Sequence, residues 1–358
     1  MTEWTDPETF AAALEAVETK EKGNHFEDFT EDETIEHAPG LRLSRHASEL
    51  WAGQTLNHDP TYWRADAAER RGFEEPPVHP DYLLAAVMGP SVGDLSEKGG
   101  YFLGRDDVVV HDNAVYPGTD VRVESTVEAK ASSSSRPEYG IVTWRTRGID
   151  AETDETLVSY ERTNMIPRRR PLGTDGSGAD DAGSESTEAG VGENASLPTG
   201  FCAPEGPYFE DFSEALRTAD EDAAVAYRHE RGRTMDELLV SGLPLSTLNT
   251  ARQHHNRDAM ADSPSGETVA YGDVTRSIAL GHARSDEATY RELEYGAETF
   301  HDFVTLGDTV YGFTRVLGAD GEIGPDRAGR VEFEHIAFNQ RHEPVYSGTR
   351  AALVERRR

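Results

Sequence analysis

Three things are scarce in this sequence: cysteine, lysine and long apolar runs. A single cysteine, Cys202, excludes a disulfide framework and any cysteine-based metal site. No apolar stretch approaches the roughly 18 residues needed to span a bilayer. The opening "MTEWTDPETF" also lacks the basic-then-apolar order of a secretion signal. The expectation is a soluble, cytoplasmic protein with no membrane partner. Only four lysines (Lys20, Lys22, Lys98 and Lys130) stand among 35 basic residues, so nearly all the positive charge is arginine.

Acid is abundant instead. Against those 35 basic residues stand 67 Asp and Glu, for a formal charge of -32. A nucleic-acid partner would have to overcome that field, so none is expected. The acid is spread along the whole chain rather than gathered in a tail. A carboxylate-rich, lysine-poor surface stays hydrated in concentrated salt, where screening suppresses its self-repulsion. The composition therefore points to an extreme halophile. No Walker loop, Rossmann fingerprint, HExxH or GxSxG occurs, and no cofactor is implied. A metal site is not implied either, because the neighbouring His254 and His255 cannot both face one ion from a regular helix.

The 358 residues suit two units of about 150 each. Residues 172–200 lack core-forming aromatics and are rich in Gly, Ser, Ala and acid, so they read as a disordered linker between units 1–171 and 201–358. The two units repeat one another. "HFEDF" (His25–Phe29) recurs as "YFEDF" (Tyr208–Phe212), "TLN" (Thr55–Asn57) recurs at Thr247–Asn249, and "YPGTDV" (Tyr116–Val121) is answered by "TLGDTV" (Thr305–Val310). The matches keep their order, at separations of about 183 to 192 residues.

Each unit then ends in three runs that alternate apolar and polar residues with period two. In the first these are "TDVRVESTVEA", "YGIVTWRTRGI" and "ETLVSYERTNMI"; in the second, "DTVYGFTRVLG", "GRVEFEHIAF" and "PVYSGTRAALV". They read as an antiparallel meander with one buried face. A helical block precedes each meander: "RLSRHASELWAG" and "PDYLLAAVMGPSVGDL" in the first unit, "TMDELLVSGLPLSTLNTARQHHN" and "DVTRSIALG" in the second. The fold class is α+β, in tandem.

The order FEDF, "GRT", a polar helix, a glycine-preceded helix and "GDT" before the meander resembles the MaoC-like hydratases of the hot-dog superfamily. There an antiparallel sheet wraps a central helix, and two units make a double hot dog. Within that superfamily, "TLNTARQHHN" with "YFEDF" and "ERGRT" resembles the mesaconyl-CoA hydratases, also called β-methylmalyl-CoA dehydratases. The resemblance implies water addition across an α,β-unsaturated CoA thioester, so the implied partner is a CoA ester. In a halophile this would fit central carbon metabolism such as acetate assimilation. Hot-dog sheets often pair edge to edge, which leaves a homo-oligomer open.

The MaoC-like pattern, Asp-x-Asn-Pro-x-His, places an acid and a histidine five residues apart at the end of the central helix. Both then reach one water, one taking its proton while the other protonates the α-carbon. On this chain the resemblance puts Asn249 at the acid position and His254 at the histidine position, with Ala251-Arg252 replacing Asn-Pro. An amide is no general base, so Asn249 can only orient the water, and His254 bears the proton transfer. A helping carboxylate could be Asp273 or the substrate's own. Gly272, at a helix start, is the candidate oxyanion donor, or an ordinary turn glycine. Arg252 is either the partner of a substrate carboxylate or a solvent-facing cation. His255 must face differently from its neighbour His254 and is either structural or a supporting partner on the substrate side, where Tyr271 is also placed.

The first unit keeps "TLNHDP" but loses the five-residue spacing, and Pro80 stands where the second unit has Gly272. Proline has no N–H to donate, so this copy reads as catalytically degenerate. Its Asn57, His58 and His79 either line the acyl pocket or pack. "PRRRP" (Pro167–Pro171) and "ERRR" at the C-terminus either meet CoA phosphates or solubilise the strand ends. The function expected is reversible hydration of mesaconyl-CoA to β-methylmalyl-CoA. The alternatives are an (R)-specific enoyl-CoA hydratase on fatty acyl-CoA and a non-hydratase hot-dog thioesterase or acyl-CoA binder.

Overall fold

The fold was obtained as a computed structural model, which describes residues 3–133, 136–172 and 197–357. The first half runs through α1 (Pro7–Ala16), β1 (Thr34–Arg42), α2 (Arg45–Gln54), α3 (Ala65–Arg70) and α4 (Pro80–Leu95). Four strands follow: β2 (Tyr101–Val110), β3 (Asp120–Ser132), β4 (Tyr139–Asp150) and β5 (Thr156–Pro167). The second half runs through β6 (Gly200–Cys202), α5 (Phe209–Thr218), β7 (Ala223–Thr234), α6 (Leu243–Ser246), α7 (Arg257–Met260) and α8 (Gly272–Asp286). It closes with β8 (Thr289–Phe300), β9 (Thr309–Asp320), β10 (Ala328–Phe338) and β11 (Pro344–Glu355). Residues 173–196, most of the stretch read as a linker, lie outside the described residues, and Gly200 at its end already pairs with Ala223.

Both halves use one plan. The strand order β1-β3-β4-β5-β2 is mirrored by β8-β11-β10-β9-β7, and an antiparallel pairing of β2 with β8 joins them into one 11-stranded sheet. Each half-sheet curls over a long helix, α4 or α8. The alternation read in the sequence is what makes this possible: β3 over Val121–Val127, β4 over Gly140–Gly148 and β5 from Tyr160 onward bury every second residue.

The two central helices solve burial differently. α4 is apolar on nearly all sides, the usual pattern of a helix enclosed by protein, with Asp81 buried at its start. α8 is as enclosed, yet Asp273, Arg276, Ser277, His282 and Arg284 are all buried on it. Their charges are matched in a continuous chain through the core: Arg105 bonds Asp273 and Glu298, Arg276 bonds Glu298 and Asp81, and Arg284 bonds Asp81 and Glu292. Arg350 extends it to Glu292 and Glu287. Losing one partner from such a chain strands a buried charge, at a cost of about 3–5 kcal/mol.

The halves also interlock. The "TLN" turn of each docks on the central helix of the other, and in both turns leucine takes a left-handed conformation (Leu56 φ 61°, Leu248 φ 63°). The close approach requires glycine on the receiving helix. A Cβ at Gly89 would lie 1.7 Å from the Thr247 carbonyl oxygen, and one at Gly281 would lie 2.2 Å from that of Thr55. The site-bearing turn of the second half is thereby seated on the first half.

One sequence expectation is corrected here. Residues 234–256 do not form a single helix ending in Asn249 and His254. A π-helical turn (Leu238–Gly242) leads into the short α6, and Leu248 then reverses the chain. The Asn249 side chain accepts the Ala251 N–H at 3.1 Å, closing a turn that competes with helix. Asn249 and His254 therefore sit in the loop before the central helix, with His254 ending a single 3-10 turn, Arg252–His254.

Candidate active site

A cavity of about 400 Å³ lies between this loop, the start of α8 and the first half. The second half contributes Asn249, Arg252, His254, Tyr271, Gly272 and Asp273; the first contributes the end of α4 and residues of β2 and β5. The walls are largely apolar, with Met88, Val92, Phe102, Phe300 and Val304 among them, as befits an acyl pocket.

His254 is 4% exposed and its ring is fixed by one contact, Nδ1 to the Val269 carbonyl at 2.9 Å. A carbonyl only accepts, so Nδ1 carries the hydrogen and Nε2 keeps the lone pair. Burial pushes its pKa down to about 4, against a smaller opposing effect of the Val269 carbonyl. The imidazole is therefore a neutral base at ordinary pH. Asn249 is 1% exposed, and because the turn occupies its carbonyl oxygen, its NH2 group is the end left to meet a water.

Tyr271 caps α8 with its ring 5.5 Å from that of His254, and its buried hydroxyl has no hydrogen-bond partner among the described residues. Gly272 opens α8, where backbone N–H groups have no acceptor within the helix. A Cβ there would lie 2.7 Å from the Phe300 ring, so glycine fits for steric as well as chemical reasons. Asp273 lines the cavity, but its carboxylate is gripped by both terminal nitrogens of Arg105, at 2.6 and 3.3 Å. It is tied into the ion-pair chain rather than free to act as a base, which corrects its candidacy for proton transfer.

Several candidates fall elsewhere. His255 is exposed and bonds the Thr250 carbonyl through Nε2, away from the cavity. Arg252 stands exposed at the mouth, with no ion pair among the described residues, rather than deep in the pocket. Of the first-half residues, His58 is exposed against Arg231, Asn57 is buried in its own turn, and His79 caps α4. None of the three lines the cavity, so their reading as pocket residues is replaced by packing. The arginine runs are also engaged: Arg168 and Arg169 pair with Glu27 and Asp28, and Arg356 and Arg357 with Glu210 and Asp211. Each run thus clasps the FEDF motif of its own half, and Tyr208 and His25 show why the motif's last acid matters, each donating its N–H to that carboxylate.

Sequence reasoning missed two features of the site. Arg162, on β5, is a buried cation in the cavity wall. Tyr62 stands in the first half where the second has His254, beside His79 at 4.7 Å, just as His254 stands beside Tyr271.

Comparison with known proteins decides the family. The sequence model described as "Mesaconyl-CoA hydratase" matches residues 3–356. The chain belongs to the mesaconyl-CoA hydratase family. Proteins of that name from Haloarcula hispanica and Haloarcula marismortui are each 65% identical over 99% of both chains, in keeping with the halophilic composition. A β-methylmalyl-CoA dehydratase from Chloroflexus aurantiacus is 22% identical over 89% of both. Among solved structures, a MaoC domain dehydratase from Chloroflexus aurantiacus superposes with a TM-score of 0.78 at 19% identity, covering 95% of this chain and all of that one. A double hot-dog protein from Mycobacterium tuberculosis gives 0.69 at 19% identity, covering 92% and 98%. The fold is the double hot dog. Among the described residues, no helix is long and apolar enough to cross a membrane.

Proposed function

We propose that this hydro-lyase adds water reversibly to mesaconyl-CoA, giving β-methylmalyl-CoA, with His254 as its base. The observation that carries this assignment is the neutral His254, its Nδ1–H held by Val269 and its Nε2 left for the cavity. Nε2 takes a proton from a water steered by the Asn249 NH2, and the water oxygen bonds the β-carbon. The double-bond electrons move onto the thioester oxygen, where the Gly272 N–H at the α8 N-terminus receives the developing charge. The imidazolium then returns its proton to the α-carbon. One group thus serves both proton steps, which accounts for an amide standing where the broader MaoC-like pattern has an acid.

The exposed Arg252 meets the CoA moiety at the mouth rather than the acyl end. The enzyme works in the cytoplasm, without nucleic acid or membrane, and the sheet's free edges leave pairing with a second copy open. A thioesterase reading lacks support, because Asn249 stands where a carboxylate would be needed and Asp273 is held by Arg105. The test is purified protein in molar salt with mesaconyl-CoA and, separately, crotonyl-CoA, following the enoyl-thioester absorbance. Loss of absorbance with mesaconyl-CoA and no free thiol is expected. Thiol release with no hydration would overturn the reading.

A further inference from the structure

Among the described residues, five arginines lie wholly or almost wholly buried, and four of them, Arg105, Arg276, Arg284 and Arg350, each touch two carboxylates. Arg162, 2% exposed, touches none among the described residues. Its Nε bonds the Asn164 side-chain oxygen at 2.9 Å, and its terminal nitrogens bond Ser91 Oγ at 2.9 Å and Ser96 Oγ at 2.8 Å. These neutral partners orient the guanidinium without neutralising it. Of its five N–H groups, one on each terminal nitrogen remains free, enough for the two oxygens of a carboxylate.

The repeat supplies the control. Arg350 is the counterpart of Arg162 on the last strand of the other half, pairing across its hairpin with Phe333 as Arg162 pairs with Trp144. The guanidinium of each lies over that aromatic ring, at 5.2 and 5.8 Å. Arg350 is satisfied by Glu287 and Glu292, which follow α8. After α4 no such acid among the described residues reaches Arg162; there Ser96 and Gly100 line the cavity. Burial alone lowers a guanidinium pKa. At Arg350 the glutamates outweigh it and the pKa rises, whereas at Arg162 it stays lowered.

We propose that Arg162 binds the free carboxylate of the substrate, the group on the β-carbon that a simple enoyl thioester lacks. It is the counter-charge the cavity was built to receive, and it sets the preference for a dicarboxylic acyl group. This role replaces the one considered for Arg252 and rests on the hydratase reading only for the substrate's name. The carboxylate so held fixes the β-carbon in position for the water at His254.

The test is binding, which is independent of turnover. Dissociation constants are measured by calorimetry in molar salt for succinyl-CoA, with a carboxylate on the β-carbon, and for butyryl-CoA, with a methyl there. The wild type is expected to prefer succinyl-CoA by on the order of 30-fold, as a charge-assisted bidentate contact provides. Arg162→Met should abolish that preference and Arg162→Lys retain part of it. Ser96→Asp gives Arg162 an internal counter-ion, as Arg350 has, and should abolish the preference in a protein whose buried charges are all paired. No preference in the wild type, or an unchanged preference in Arg162→Met or Ser96→Asp, would overturn the proposal. If the preference behaves as described but mesaconyl-CoA is not hydrated, the anchor stands and the hydratase reading falls.

Discussion

The two halves share a sheet, a central helix, a "TLN" turn and an aromatic pair, and they differ in what stands at a few matched positions. The second half has His254 next to Tyr271; the first has Tyr62 next to His79. The second half opens α8 with Gly272, whose N–H is free for a ligand, where the first opens α4 with Pro80, which has none. On the sheet side the asymmetry reverses: Arg350 of the second half is neutralised, and Arg162 of the first is left open to the cavity. On the proposed reading, one copy keeps the chemistry and the other keeps the recognition. Each turn sits on the opposite helix, so the single site is assembled from both.

Changes that exchange features between the halves test this comparison. Asp81 and its counterpart Asp273 carry unequal loads, Asp81 bonding both Arg276 and Arg284 while Asp273 bonds Arg105, which also keeps Glu298. Asp81→Asn should cost about 3–5 kcal/mol in denaturant unfolding, and Asp273→Asn less. Equal losses would mean the chain is not continuous. Next, Gly272→Pro gives α8 the start that α4 has, and Tyr271 already holds the extended conformation (ψ 131°) that precedes proline. Activity should fall about 100- to 1000-fold relative to Gly272→Ala, which introduces the same crowding on Phe300 but keeps the N–H. A ratio near one would remove the oxyanion role.

Smaller effects belong to the interlock and to titration. Gly89→Ala and Gly281→Ala should each destabilise by about 1–3 kcal/mol, but only Gly89→Ala should also lower activity, because only it displaces the turn that carries Asn249. The histidines set the acid side. The folded pKa of His254 is about 4 and that of His79 about 3, both below the unfolded value near 6.5. The unfolded chain thus binds the extra protons, and stability should fall as pH drops from about 6.5 towards 4. The base itself stays neutral in that window, so the acid limb of kcat/KM should lie near 4 rather than 6.5.

The sequence made much of this legible. The run Pro80–Leu95 is α4, and the six alternating runs are the last three strands of each half, because burial of one face imposes period two. The spacing of Asn249 and His254 picked out two residues that line the cavity even though they lie on a loop, since the five-residue spacing survives where helical periodicity does not. Arg162 was legible only in part. It occupies an inward position in "VSYERTNMI", between Tyr160 and Asn164, and an inward arginine is a signal. Whether its counter-charge comes from the protein or from a ligand is decided by residues distant in sequence, which only the fold brings together.

The central claim is that one of two matched positions is catalytic. It is tested most directly by the rate of mesaconyl-CoA hydration in His254→Ala beside Tyr62→Phe, both checked for folding in molar salt. The account predicts a loss of about 100- to 10,000-fold in the first and near wild-type turnover in the second. Full activity in His254→Ala, or an equal loss in Tyr62→Phe, would contradict it.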